Sequence, residues 1–169
     1  LRRIVVAIDP AVTATESSDE TGVVVVGMAH DGHAYVLDDV SGKFTPDGWA
    51  RLAVKHYHAQ HADRIIAEVN NGGDMVERII RTVDHRVSYK AVHASRGKRT
   101  RAEPVAALYE QGKVHHVGMF ASLEDQMCTW DAASGEKSPD RMDALVWALT
   151  ELMLGNAPTS RTYPGFIQA

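Results

Sequence analysis

The stretch RIVVAIDP, at residues 3–10, carries the strongest information about the fold. Residues 4–8 are all apolar, which predicts a short buried strand. Asp9 ends this run next to Pro10, so a carboxylate lies where a buried strand should carry an apolar side chain. A carboxylate in such a place is costly unless it is paired or bound to a cation. We therefore predict a functional role for Asp9 rather than only a turn before proline.

Two more acids interrupt apolar patterns in a similar way. Glu68 lies inside residues 64–69, where apolar residues on both faces predict a central strand. Asp143 lies beside the apolar stripe of the strongest helical pattern, beyond the positions where helix capping would explain it. Asp140 is a weaker candidate, since any acid at a helix start gains from the helix dipole. Asp9, Glu68 and Asp143 are therefore the predicted catalytic residues.

The remaining patterns predict strands and helices around these acids. Further strands are predicted at residues 22–28, 33–40, 87–93 and 113–117, with Asp31-Gly32 as a hairpin turn between the first two. Helices are predicted from Thr45-Pro46, over residues 75–83, from a capping box of Thr100 and Glu103, over residues 121–130 and from Ser138-Pro139. This order indicates an α/β fold with a mixed central sheet flanked by helices, antiparallel in its first three strands and parallel afterwards.

The predicted layout brings the acids together at one end of the sheet. If strands 3–9 and 64–69 are neighbours, Asp9 and Glu68 share that end, and Asp143 can close the site from its helix. Oxygen ligands without a Cys pair favour Mg²⁺ or Mn²⁺ over zinc. Three carboxylates in this arrangement suit two such ions about 4 Å apart, which is an arrangement that supports phosphodiester hydrolysis.

Other polar residues are predicted to assist the acids. Asn70 and Asp74 follow Glu68 closely and are candidates for supporting the metal ligands, although Asp74 also suits a helix cap. The segment 95–101 is predicted to be a basic loop that contacts phosphates of a bound nucleic acid. Its four cations are Arg96, Lys98, Arg99 and Arg101. The tryptophans, Trp147 among them, are predicted to lie in the core.

Composition limits the possible classes of protein. The chain has 169 residues, enough for one domain with a real core. Its net charge of −4 argues against a broadly basic nucleic-acid coat. The single cysteine, Cys128, permits no internal disulfide, and no segment approaches the roughly 20 apolar residues of a membrane helix. We therefore expect an intracellular protein without membrane contact, and the initial Leu suggests a fragment of a larger one.

Five segments of the sequence, in order, resemble the nuclease domain of phage terminase large subunits. They are IDPAVTATESSDETG, AEVNNGGDMVE, HASRGKRTRAEPVAALYEQGKVHHVG, LEDQMCTW and SPDRMDALVWALTEL. The resemblance runs from about Ile4 to Leu154 and implies a ribonuclease H-like fold. It also implies a nuclease that cuts concatemeric viral double-stranded DNA in the cytoplasm of the bacterial host. The metal-binding acids of the family map to Asp9, Glu68 and Asp143, with Asp140 as a possible addition.

The resemblance also implies partners. A full terminase large subunit carries an ATPase motor and works with a portal and a small terminase subunit. No GxxxxGK[ST] motif occurs in this sequence, so the motor is absent from the chain and we expect no ATP hydrolysis by it alone. Residues 1–154 are predicted to form the nuclease domain, and residues 155–169 a C-terminal tail.

Two alternative functions remain open from the sequence. A Holliday-junction resolvase shares the fold and the carboxylate set, although the stretches GKRTRAEP and LEDQMCTW favour the terminase. The chain could instead be a module that grips DNA or docks onto the portal, with cleavage suppressed in isolation. Weak, strongly salt-dependent binding of DNA is expected from a nuclease domain with this charge, whereas a dedicated gripping module should bind tightly.

Overall fold

The central sheet contains six strands in the order β5-β4-β1-β2-β3-β6. The computed structural model describes residues 1–10, 20–69, 73–95, 97–131 and 139–155. The strands are β1 Arg3–Asp9, β2 Gly22–Met28, β3 Ala34–Asp39, β4 Arg64–Glu68, β5 Tyr89–Val92 and β6 Val114–His116. The pairs β1–β2 and β2–β3 are antiparallel, and the pairs β1–β4, β4–β5 and β3–β6 are parallel. The predicted mixed sheet is confirmed, and β1 and β4 are neighbours as expected.

Helices cover both faces of the sheet. They are α1 Pro46–Ala59, α2 Gly73–Val83, α3 Lys98–Glu110, α4 Ala121–Thr129 and α5 Asp140–Leu149, which continues as a π-helical turn, Thr150–Leu154. Val5 and Ala7 of β1 pack in one core with α3, α4 and α5. Val6 and Ile8 pack in a second core with α1 and α2. Burial of β1 on both faces explains its unbroken apolar run, and β4 is buried in the same way.

The start of α3 differs from the prediction. The helix begins at Lys98 with Gly97 as its N-cap and has no side-chain capping bond, so the predicted capping box at Thr100 is wrong. Lys and Arg are good helix formers, and Arg99 bonds Glu103 one turn later at 3.0 Å. Lys98, Arg99 and Arg101 therefore lie in a helix rather than in a loop. Arg96, Asn70 and Ser138 lie outside the described residues.

A buried carboxylate fastens the far end of the sheet to the last helical turn. Glu151 is 8% exposed and receives hydrogen bonds from Arg3, from Lys90 at 2.7 Å and from Arg64 at 3.4 Å. Burial alone would raise the pKa of Glu151, but Lys90 and Arg3 outweigh it and hold the pKa below its ordinary value of 4.5. The carboxylate thereby ties β1, β4 and β5 to the segment that follows α5.

We expect Glu151→Gln to destabilise the protein at pH 7 by about 2 kcal/mol, because charged hydrogen bonds are lost. A lowered folded-state pKa means that the wild-type carboxylate stabilises the fold above pH 4.5 and loses this effect as the pH falls through the folded pKa. Thermal unfolding between pH 7 and pH 3 should show the difference between the two proteins shrinking with acidification. A constant difference would contradict this role of the ionised form.

None of the helices in the described ranges combines the length and the apolar character that crossing a membrane requires.

Candidate functional site

Two acids meet at the carboxyl ends of β1 and β4. The parallel register pairs Ile8 with Ala67, so Asp9 and Glu68 occupy the next positions of adjacent strands. Both side chains belong to the sheet face that α5 covers, because residues at alternate positions of a strand share a face. Glu68 is 6% exposed. A pair of carboxylates on neighbouring central strands is thus held by backbone pairing rather than by loops.

The start of α5 adds two further acids above this pair. Asp143 is 3% exposed on α5, and Asp140 is the first residue of the helix. The helix approaches the sheet closely at Gly22, which pairs with Asp9 across β1 and β2. Arg141 fastens the same helix turn by hydrogen bonds to Glu20 at 2.9 Å and to Asp39 at 2.8 Å. The backbone contact at Gly22 and the ion pairs of Arg141 together hold the start of α5 against the sheet, and Asp143 is positioned with it.

The four acids repel one another when they are ionised, which makes the site electrostatically unfavourable. Burial, then repulsion from Glu68, Asp143 and Asp140, raises the pKa of Asp9 from 3.8 to about 8, although Lys98 partly offsets this. A carboxyl group with such a pKa is destabilised in its ionised form, and a nearby positive charge would stabilise that form. The concentration of acids is therefore unfavourable for the metal-free protein, which is typical of a functional site.

Protein cations and one indole group contact these acids. Lys98 Nζ pairs with an oxygen of Asp143. Arg101 Nη1 and Trp147 Nε1 donate hydrogen bonds to Glu68 Oε2 at 3.3 Å and 2.6 Å. In the described part of the chain, no group of three or more His, Cys, Asp or Glu side chains is arranged to hold a metal ion. Lys98, Arg101 and Trp147 thus contact oxygens of Asp143 and Glu68, and carboxylate oxygens are the hard donors that Mg²⁺ and Mn²⁺ prefer.

The other predicted site residues are placed less centrally. Asp74 is exposed in the first turn of α2, where the helix dipole favours an acid, and its supporting role stays a prediction. Arg99 is exposed and paired with Glu103. Arg101, predicted to contact DNA, has a side chain only 10% exposed and directed to Glu68. Arg96 and Asn70 lie outside the described residues, so their predicted roles stay predictions.

Trp147 is the site residue that the sequence interpretation overlooked. It is 7% exposed, as the predicted core position requires, yet its indole N–H reaches the carboxylate of Glu68. A usable signal was present in the sequence. Trp147 lies four residues after Asp143, and residues at this spacing occupy the same side of a helix.

The sheet order, the covering helices and the acid-bearing ends of β1 and β4 define a ribonuclease H-like fold. The family model described as "Terminase RNaseH-like domain" matches residues 6–152. The chain belongs to this family. No functionally curated protein sequence gives a significant match.

Solved structures with the same fold include terminase nucleases and a resolvase. The large terminase nuclease of the thermophilic phage G20c, solved with bound magnesium, has a TM-score of 0.62 and 16% identity, covering 88% of this chain and 81% of that one. The gp2 nuclease domain of bacterial virus Sf6 has a TM-score of 0.62 and 14% identity, covering 87% of each chain. The yeast mitochondrial Holliday junction resolvase Ydc2 has a TM-score of 0.54 and 11% identity, covering 87% and 78%. At such low identities these likenesses establish the fold alone.

Proposed function

We propose that this chain is the nuclease domain of a viral DNA-packaging terminase large subunit, a metal-dependent endonuclease that cuts double-stranded concatemeric DNA. One observation carries the proposal. Asp9 and Glu68 occupy adjacent positions at the ends of two paired strands, and the buried Asp143 of α5 lies above the same face. Buried acids cost stability, so their concentration in a member of the terminase family is best explained by catalysis.

Asp9, Glu68 and Asp143 would hold the divalent cations, with Asp140 as a possible fourth ligand. Burial of Asp9 and repulsion from the neighbouring acids raise its pKa to about 8, which supports a site that accepts positive charge. The related G20c and Sf6 nucleases were solved with magnesium and manganese. We propose two Mg²⁺ or Mn²⁺ ions, which would supply the Lewis acidity that phosphodiester hydrolysis requires.

The protein groups around the acids would orient the DNA. Lys98 is partly exposed at the start of α3 and is paired with Asp143, so it can reach both the acids and an approaching phosphate. Arg99 is more exposed on the same helical turn, and Arg96 precedes it in the sequence. Contacts of this kind position the backbone without reading its sequence. Because the chain carries a net charge of −4, we expect weak binding that falls steeply with salt.

By family membership we further propose that the domain acts with an ATPase domain of its own protein, a portal and a small terminase subunit, in the cytoplasm of the bacterial host. The resolvase alternative has support from the shared fold with Ydc2, at a TM-score of 0.54. The terminase proposal has the additional support of the family model over residues 6–152. Substrate geometry separates the two functions.

Cleavage of three DNA substrates tests the proposed function. Supercoiled plasmid, linear duplex and a four-way junction are incubated with the protein in Mg²⁺, Mn²⁺, Ca²⁺ or EDTA. We expect nicking and linearisation of the plasmid and shortening of the duplex in Mg²⁺ or Mn²⁺ only. Cleavage restricted to the junction would favour the resolvase, whereas intact DNA under all conditions would favour a gripping or docking module.

A further inference from the structure

The two oxygens of the Glu68 carboxylate have different surroundings. Oε2 accepts the indole N–H of Trp147 at 2.6 Å and the Nη1 of Arg101 at 3.3 Å. No group in the described part of the chain donates a hydrogen bond to Oε1. A carboxylate buried to this degree normally has its acceptors satisfied. Among the described residues, Oε2 is therefore the oxygen that the protein anchors, and Oε1 is the oxygen without such an anchor.

The two donors are themselves held in place. Trp147 lies in α5 and packs in the core beneath α3. The guanidinium carbon of Arg101 lies 4.6 Å from the centre of the Trp147 ring, which is the geometry of a cation–π contact. Arg101 Nε is buried and has no hydrogen-bond partner among the described residues. The direction of the guanidinium is thus determined by the indole ring and Glu68, at the cost of one unsatisfied N–H.

We propose that Trp147 and Arg101 are positioning residues that anchor Glu68 through Oε2, so that Oε1 is the oxygen presented to a divalent cation. This inference rests on the proposed metal-dependent function. A free Glu side chain loses rotamer entropy when it binds a metal, and an anchored one has already lost it. Hydrogen-bond partners behind metal ligands commonly contribute about 10–100-fold to metal affinity.

Trp147→Phe separates positioning from packing. Phenylalanine keeps an aromatic ring under Arg101 but has no N–H for Glu68. Trp130→Phe is the matched control, because Trp130 Nε1 is also buried yet has no hydrogen-bond partner among the described residues. The two variants lose the same atoms, and only the first should disturb Glu68.

Mn²⁺ binding to each variant of the 169-residue chain, measured from the electron paramagnetic resonance signal of free Mn²⁺, gives a readout independent of activity. We expect about 10-fold weaker binding for Trp147→Phe and unchanged binding for Trp130→Phe. In plasmid cleavage, Trp147→Phe should need about 10-fold more Mn²⁺ for half-maximal rate, with the rate at saturating Mn²⁺ close to that of the wild type. Arg101→Lys, which keeps the charge, should fall between the wild type and Trp147→Phe.

Different results overturn different parts of this account. Equal Mn²⁺ affinity of Trp147→Phe and the wild type would overturn the positioning role while leaving the metal site intact. Equal weakening in Trp147→Phe and Trp130→Phe would show that packing alone is responsible. Absence of Mn²⁺ binding by the wild type would overturn the proposed metal site, and with it any role of Glu68 Oε1 as a ligand.

Discussion

Asp9→Asn is expected to lower the rate of plasmid cleavage in Mg²⁺ or Mn²⁺ by about 10³-fold or more, because it removes one of the three proposed metal ligands. Asn keeps the size of Asp9 but removes the charge at the end of β1, where the four acids converge. Metal ions contribute several kcal/mol to such reactions, and about 4 kcal/mol corresponds to about 10³-fold in rate. The measurement is the initial rate of nicking at saturating metal.

The same substitution should stabilise the metal-free protein. The pKa of Asp9 is raised to about 8 by burial and by neighbouring acids, so between pH 3.8 and pH 8 the folded state binds more protons than the unfolded state. Wild-type stability from this residue therefore falls as the pH rises through that range. Asp9→Asn removes the effect, and its melting temperature in EDTA should exceed that of the wild type at pH 8 and converge with it near pH 4.

Addition of Mg²⁺ should make the melting temperature of the wild type higher than that of Asp9→Asn. Mg²⁺ that binds only the folded state raises the melting temperature of the wild type, and it should have little effect on Asp9→Asn. Asp125→Asn serves as a control, because Asp125 is an exposed acid on α4 and is not one of the predicted site residues. Retention of wild-type cleavage by Asp9→Asn would eliminate this acid from the catalytic set, and a parallel loss in Asp125→Asn would point to a general charge effect.

Gly22→Ala is expected to have the largest effect on stability among single-methyl additions, with loss of cleavage as a consequence. A Cβ at Gly22 would lie 2.0 Å from the carbonyl oxygen and 2.6 Å from the carbonyl carbon of Asp140. Backbone atoms cannot rotate away as a side chain does, so the start of α5 must move. Overpacking of this kind costs about 3 kcal/mol, which for a domain of this size corresponds to about 6–12 °C in melting temperature.

Asp143 belongs to α5, so movement of this helix would also displace its carboxylate relative to Asp9 and Glu68. A displacement near 1 Å is enough to lower the rate of catalysis strongly. Gly118→Ala is the matched control, since its Cβ would make only ordinary contact with Phe120 at 3.6 Å. Thermal unfolding and plasmid cleavage of both variants provide the test. A Gly22→Ala protein as stable and active as Gly118→Ala would show that α5 adapts to the added methyl group.

Several features of the fold were predictable from local patterns. The apolar run of β1 and the two-faced pattern around Glu68 predicted buried strands, because only burial on both sides accounts for such residues. The turn residues Asp31-Gly32 lie between β2 and β3 as predicted, although β3 covers Ala34–Asp39 rather than residues 33–40. Thr45-Pro46 does start α1, and Thr45 accepts a hydrogen bond from Gly48. The start of α3 was not predictable in this way, because the helix begins at Lys98 without any side-chain capping bond, and Lys98 pairs with Asp143 of a distant helix.

The candidate acids were recognisable because a carboxylate inside an apolar pattern is costly wherever the chain folds. The residues that hydrogen-bond Glu68 interrupt no apolar pattern, so they could not be recognised in the same way. In the sequence, Arg101 is one of several cations in a basic segment, and Trp147 is one of several apolar residues in a helix. Both contact Glu68 only because of the way in which α3 and α5 pack.

The sequence alone determined which segments form apolar strands and helices, the mixed character of the sheet and which acids are candidates for the site, because the pattern of apolar residues is a local property of the chain. Tertiary structure alone decided the register that places Asp9 beside Glu68, the approach of α5 at Gly22 and the anchoring of Glu68 by Trp147 and Arg101. These features depend on contacts between residues distant in sequence, whose geometry is set by the packing of whole helices on the sheet.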